Sequence, residues 1–130
     1  MIFVDTSAFF ALVDEHDPRH LTAKEKLEGM LEQNEALITH NYVLVETYAL
    51  LPRRVGFEAA RKFYRDVYQL SQILWVSQTQ HERASKIFVT QKVPRYSFVD
   101  CVSFELMRTH GIKQYFAFDE DFKHAGFEPA

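Results

Sequence analysis

Four carboxylates in this chain stand where their charge needs a physical reason. Asp5 follows the apolar run Ile2-Phe3-Val4, and Asp119 follows Tyr115-Phe116-Ala117-Phe118. Glu46 sits in a helix-like stretch where its neighbours three and four positions away are Tyr42, Val43, Ala49 and Leu50, so it is expected to project from the face that packs inward. Asp100 interrupts the run Phe98 to Phe104, whose other members mostly favour burial. A lone buried carboxylate is costly unless it is protonated or paired. One shared cation would answer all four: carboxylates converging in one pocket repel one another, and a divalent ion neutralises them. An all-oxygen set favours Mg²⁺ or Mn²⁺ over zinc.

Each acid except Glu46 also has a structural explanation. Asp5 can cap a helix, Asp119-Glu120-Asp121 can be a polar turn, and Ser97 with Asp100 has the spacing of a capping box, which is compatible with a functional role as well. The histidines offer no competing metal site, because Pro18 falls between His16 and His20 and spoils their helical spacing.

Short apolar strands alternating with helices are expected to position these residues. Strands are predicted at Ile2–Val4, Ala36–Thr39, Ile73–Val76 and Tyr115–Phe118, with a weaker one near Phe127. Helices are predicted after Asp5, from Pro18, from Tyr42 to Arg54, from Gly56 to Leu70, from Gln78 to Gln91, and from Ser97 to a C-cap at Gly111. That order implies a parallel sheet covered on both faces, with its functional crevice outside the carboxyl ends of the strands. Asp5 and Asp119 fall at that edge.

At 130 residues the chain is expected to form one domain over residues 1–130. A single cysteine, Cys101, excludes an internal disulfide and a cysteine zinc site. No apolar run reaches the roughly 18 residues that span a membrane, and no signal peptide is evident, so a cytoplasmic location is expected. The net charge of −3 excludes a globally basic nucleic-acid coat. Basic residues cluster locally: Arg53, Arg54, Arg61, Lys62 and Arg65 against Glu58 alone, then Lys86, Lys92 and Arg95. They are candidates for an RNA backbone, with Tyr96 placed to stack on unpaired bases, although solvated helix faces explain them equally well. The segment Tyr42 to Leu70 carries more apolar side chains, among them Leu50, Leu51, Val55, Phe57, Phe63, Tyr64, Val67 and Tyr68, than one sheet face should absorb, so an association surface is expected there.

The motifs around Asp5 (residues 4–13), Glu46 (41–51), Asp100 (97–107) and Asp119 (116–122) together resemble the PIN domain family, and in size and layout the stand-alone toxin ribonucleases of the VapC type. The resemblance covers nearly the whole chain. It implies a three-layer α/β/α sandwich with a central parallel sheet and a metal-dependent endoribonuclease, usually a homodimer neutralised by an antitoxin protein. By position, Asp5, Glu46, Asp100 and Asp119 match the family's acidic quartet, Asp121 an outer fifth carboxylate, and Thr6 and Ser7 the hydroxyl pair after the first acid. One departure is Ala117, where the family often has Thr or Ser. On this reading Asp5 and Asp100 ligate the metal directly and Asp119 completes the set. Glu46 holds a second ion or orients the attacking water, and Arg53, Arg54 and Arg95 join Thr6 and Ser7 as substrate contacts. Competing readings are a PIN-like RNA-binding module that does not cut, and a phosphoacceptor signalling domain. The second fits poorly, since the third strand ends in Val76-Ser77. A haloacid-dehalogenase-like phosphatase would require a second Asp two residues after Asp5, where Ser7 stands.

Overall fold

Ile2, Phe3 and Val4 are all buried and form β1 (Ile2–Val4), the middle strand of a five-stranded parallel sheet. In this computed structural model, which describes residues 1–130, the remaining strands are β2 (Leu37–His40), β3 (Ser71–Leu74), β4 (Gln114–Phe116) and β5 (Glu128–Pro129). Their order is β3-β2-β1-β4-β5, every pair is parallel, and Val4 lies beside Phe116. The order therefore reverses between β1 and β4, and such a switch point opens a crevice at the carboxyl edge of the sheet.

The helices are α1 (Thr6–Val13), α2 (His20–Glu32), α3 (Asn41–Arg54), α4 (Phe57–Lys62), α5 (Gln78–Val89), α6 (Phe98–Thr109) and the single turn α7 (Asp121–His124). They cover both faces of the sheet, which gives the expected α/β/α sandwich. The main core joins β1, β2 and β4 to α1, α3 and α6 through rings such as Phe3, Phe9, Phe63, Phe104 and Phe122. Phe9 meets Phe63 edge-on at 4.9 Å, and Phe104 meets Phe122 at 5.2 Å.

Several boundaries differ from the sequence expectation. Pro18 does not open α2; it lies in a turn closed by the His20 amide on the Asp17 carbonyl at 3.0 Å. The third strand ends at Leu74, and Trp75 leaves the sheet 71% exposed, because β3 is an edge strand and the Val76 amide turns away to the Asn41 side chain at 2.8 Å. The fourth strand stops at Phe116, where the chain peels off toward Asp119. Beyond α4 the expected helix continues only as a π-helical turn (Phe63–Val67) and a 3₁₀ turn (Tyr68–Leu70). Of the apolar side chains assigned to a surface there, Leu51, Phe63 and Val67 are buried in the core, whereas Val55, Phe57 and Tyr64 are exposed.

A buried histidine starts α3. His40 Nδ1 accepts from the Tyr42 and Val43 amides at 3.1 and 3.3 Å, and Nε2 meets the Ser103 hydroxyl at 2.8 Å, so one ring caps α3 and ties it to α6. Burial pushes its pKa down to about 3, which keeps the ring neutral and Nδ1 free to accept. His40→Ala is expected to cost about 2–4 kcal/mol of stability through the lost cap, the lost Ser103 partner and the cavity. His40→Asn, which retains an acceptor, should recover part of it. Urea midpoints measure both, and an unchanged midpoint in His40→Ala would refute the cap.

Candidate active site

The crevice at the switch point is a cavity of about 380 Å³ whose walls include Asp5, Asp17, Glu46, Asp100, Asp119 and Asp121. Two arginines, Arg19 and Arg54, stand against these six carboxylates, an excess of four negative charges if all ionise.

Asp5 occupies the first position after β1. Its amide still bonds the Phe116 carbonyl at 3.1 Å, and its own carbonyl accepts from the Ala8 and Phe9 amides, so the backbone passes from strand to helix at this residue. Its side chain makes no capping hydrogen bond to α1, which removes the helix-cap explanation. The residue is only 6% exposed. Burial, and then the charges of Asp119, Asp100 and Glu46, push its pKa up to about 8, opposed mainly by the Thr6 amide.

Asp100 does form the capping box. Its Oδ2 accepts from the Ser97 amide at 3.1 Å, and its own amide donates to Ser97 Oγ at 3.0 Å. Only one carboxylate oxygen is used, and the residue still lines the cavity. Burial raises its pKa to about 6, aided by Asp119 and Asp121 and opposed by Ser97. Asp119 follows the same logic. Its Oδ1 accepts from the Asp121 amide at 3.1 Å, a polar turn as anticipated, while burial holds its pKa above the usual range with Asp121 and Glu120 adding to it.

Glu46 reaches the cavity from the second turn of α3, but its setting corrects the expectation of an inward-packed carboxylate. Val43 is buried, Tyr42 and Leu50 are half-buried, and Ala49 is exposed, so Glu46 stands at the margin of the packed face and opens on the cavity. Asp121 begins α7 and pairs with Arg95, Nε to Oδ1 at 3.3 Å. Thr6 lines the same wall, and its buried hydroxyl has no hydrogen-bond partner. The Ser7 hydroxyl is partly committed: its oxygen accepts from the Phe118 amide at 2.9 Å, which fastens α1 to the exit of β4.

The basic residues separate sharply. Arg54 lines the cavity with its guanidinium 5.9 Å from the Phe10 ring centre, whereas Arg53 is exposed and lies outside it. Arg61 pairs with Glu58, Lys62 with Glu15 and Arg65 with Asp66, so most of the patch after Pro52 is neutralised by its own surroundings. Two charged wall residues, Asp17 and Arg19, were missing from the sequence reading. Arg19 lies over Phe118, 5.0 Å from the ring centre, and bonds Asp17 Oδ1 through its amide at 2.8 Å and Nε at 3.3 Å. Burial opposes ionisation of Asp17, but these bonds outweigh it and hold its pKa below the ordinary value. The local signal was Asp17-Pro18-Arg19, a turn whose contact with Phe118 is visible only in three dimensions.

The residues able to hold a hard cation are Asp5, Asp100 and Asp119, with Glu46 and Asp121 around them. No three acids are gathered tightly enough to be a finished cage. Mg²⁺ does not require one, since it keeps several waters and leans on one or two carboxylates plus substrate phosphates.

A parallel sheet with an acidic crevice at its switch point is the kind of place where α/β proteins bind their ligands. The PIN domain family profile matches residues 2–128, and the chain belongs to that family. The 23S rRNA-specific endonuclease VapC20 of Mycobacterium tuberculosis, in strains CDC 1551 / Oshkosh and ATCC 25618 / H37Rv, is 41% identical over 130 residues, covering 98% of this chain and 95% of the relative. The crystal structure of M. tuberculosis VapC20, described as a sarcin–ricin loop cleaving toxin, superposes with a TM-score of 0.83 at 38% identity, covering 98% of this chain and 96% of that one.

The raised pKa of Asp5 fixes a pH dependence for metal-free protein. A carboxyl that binds its proton more tightly when folded contributes stability that is fully present below its unfolded pKa and is lost as pH rises through the folded value. Lowering the pH from about 8.5 to 6.5 in chelator should therefore stabilise the fold by about 2 kcal/mol. Below about 6.5 the depressed pKa of His40 acts in the opposite sense and flattens the gain. Thermal melts across this range measure it. Asp5→Asn should abolish most of the rise, and a wild-type melting temperature that falls between pH 8.5 and 6.5 would refute it.

Proposed function

We propose that this chain is an endoribonuclease of the toxin type that cuts large-subunit ribosomal RNA with a divalent metal ion at the acidic cavity. The observation that carries the reading is the Asp5 carboxylate, which is buried, uncapped and faced by Asp100, Asp119 and Glu46. A module that only bound RNA would gain nothing from this cluster, since an excess of negative charge repels phosphates unless a cation neutralises it. The identity with VapC20 across nearly the full length of both chains supports the same substrate class, 23S rRNA, with the sarcin–ricin loop as the first target to test.

The donor set is all carboxylate oxygen with one orphaned hydroxyl, which fits Mg²⁺ or Mn²⁺. Asp5 and Asp100 would be the direct ligands, Asp119 would complete the set, and Asp121 would support it from outside. A bound ion would polarise the scissile phosphate and lower the pKa of a coordinated water. Glu46, at the cavity margin, orients the attacking water or holds a second ion. Thr6 offers its unpartnered hydroxyl to a phosphate oxygen, and Arg19 and Arg54 place positive charge at the cavity wall for the RNA backbone.

A toxin of this kind needs a neutralising antitoxin, and the exposed apolar groove between α3 and α4 is the surface proposed for association with it or with a second copy of the chain. This groove has a volume of about 500 Å³ and is lined by Tyr48, Pro52, Phe57, Ala60, Arg61 and Tyr64. Phe57, 61% exposed there, would be covered in the assembly. Sedimentation should show a dimer that Phe57→Asp dissociates, or a co-expressed antitoxin that Phe57→Asp releases. A strict monomer whose antitoxin binding is unaffected by Phe57→Asp would remove this surface.

Purified protein incubated with bacterial 23S rRNA is expected to give discrete fragments with Mg²⁺ or Mn²⁺ and none with chelator. Asp5→Asn should lower the rate by about a hundredfold or more while RNA binding persists. RNA binding without fragments under any metal would instead support the non-cutting module.

A further inference from the structure

We propose that the recess between the α5–α6 loop and α7 is a second phosphate subsite, which holds the RNA backbone next to the scissile bond; it rests on the ribonuclease reading above. The recess has a volume of about 390 Å³ and is lined by Gln91, Lys92, Val93, Arg95, Tyr96 and His124, with no carboxylate among them. It adjoins the acidic cavity through one contact. Arg95 lines the recess, and its Nε lies 3.3 Å from Oδ1 of Asp121, which lines the cavity. A strand that places one phosphate among the carboxylates therefore has a cationic site directly beside it for another.

The loop that carries these cations is fixed in advance by a single side chain. Gln91 Oε1 accepts from the Arg95 and Tyr96 amides at 3.2 and 2.9 Å, while Nε2 donates to the Phe88 and Tyr96 carbonyls, both at 3.1 Å. The opposite wall is fixed as well. The Tyr96 hydroxyl bonds His124 Nδ1, and the Tyr96 ring packs edge-on against Phe104 at 4.9 Å. Lys92 and Arg95 are thus presented from a braced loop, so little conformational entropy is lost when a phosphate binds. Arg95 is exposed and Asp121 half-buried, and ion pairs open to solvent contribute little, so an RNA phosphate can take the place of Asp121 on the guanidinium. Bidentate guanidinium–phosphate geometry favours that exchange. Tyr96 provides an aromatic wall for the adjoining nucleotide.

The test uses the full chain and a fluorescently labelled RNA hairpin spanning the sarcin–ricin loop of 23S rRNA. Binding is measured in chelator over a range of salt concentrations for wild type, Lys92→Ala and Lys113→Ala. Lys113 is the control, an exposed lysine just before β4 at the opposite, amino edge of the sheet. Lys92→Ala is expected to raise Kd about threefold to tenfold and to reduce the slope of log K against log salt by about 0.7–0.9, the signature of one lost phosphate contact. With metal it should raise KM while kcat stays within about twofold, because Lys92 touches RNA away from the reacting bond. A Lys92→Ala protein with wild-type Kd, slope and KM would overturn the subsite, as would an equal effect from Lys113→Ala. If wild type cuts no RNA with any metal, the ribonuclease reading fails, yet the binding measurements in chelator still decide whether the recess holds a backbone phosphate.

Discussion

The hydrogen bond from the Asp5 amide to the Phe116 carbonyl, 3.1 Å long, holds the ends of two adjacent parallel strands together, and the chemistry of the site follows from the charge confined there. Asp5 cannot move away, because its backbone is at once the last rung of the sheet and the first turn of α1. Asp119 arrives three residues beyond Phe116, and α3 and α6 bring Glu46 and Asp100 to the same crevice. Burial then works against ionisation while the neighbouring carboxylates work in the same direction, and the Asp5 carboxyl is left at about 8. A fold that maintains this arrangement carries an unfavourable electrostatic term, which a divalent cation would relieve.

The surrounding structure supplies a separate anchor for each acid. The Ser97 box fixes the start of α6, and His40 fixes the start of α3 while bonding Ser103 on α6. Ser7 holds the exit of β4, and the Asp121 amide holds Asp119. Most of these bonds are short-range or join neighbouring elements, so the carboxylates are positioned without being neutralised. The aromatic core, in which Phe3 stacks on both His40 and Phe122, offsets the cost of crowding them.

The division of charge over the surface has a similar logic. The patch after Pro52 that looked most basic in sequence is largely spent on Glu58, Glu15 and Asp66. The arginines that do reach the cavity, Arg19, Arg54 and Arg95 through Asp121, come from three unrelated segments. An overall acidic protein can therefore present positive charge around a negative cavity, where it would face the phosphates flanking a bound strand.

Local chemistry was enough to locate the four acids, the parallel sheet and the capping box, because apolar runs of strand length ending in Asp and a Ser-x-x-Asp spacing are determined by neighbours within a few residues. The positions of Asp5 and Asp119 on one edge also followed, since parallel strands must all end on the same side. Strand order was a different matter. That β1 lies between β2 and β4, and so puts Asp5 beside Asp119 at a switch point, depends on which surfaces pack and not on any local signal. The same holds for Arg19, drawn to the cavity by Phe118 across 99 residues of sequence. It holds for Glu46, whose helix face is half-covered where periodicity implied full burial, and for the Tyr42–Leu70 segment, whose apolar residues divide between core and surface. Sequence determined which residue types could do the chemistry and which edge they occupy; only tertiary packing decided which charges meet, because Coulomb interactions depend on distances through space that separation along the chain does not set.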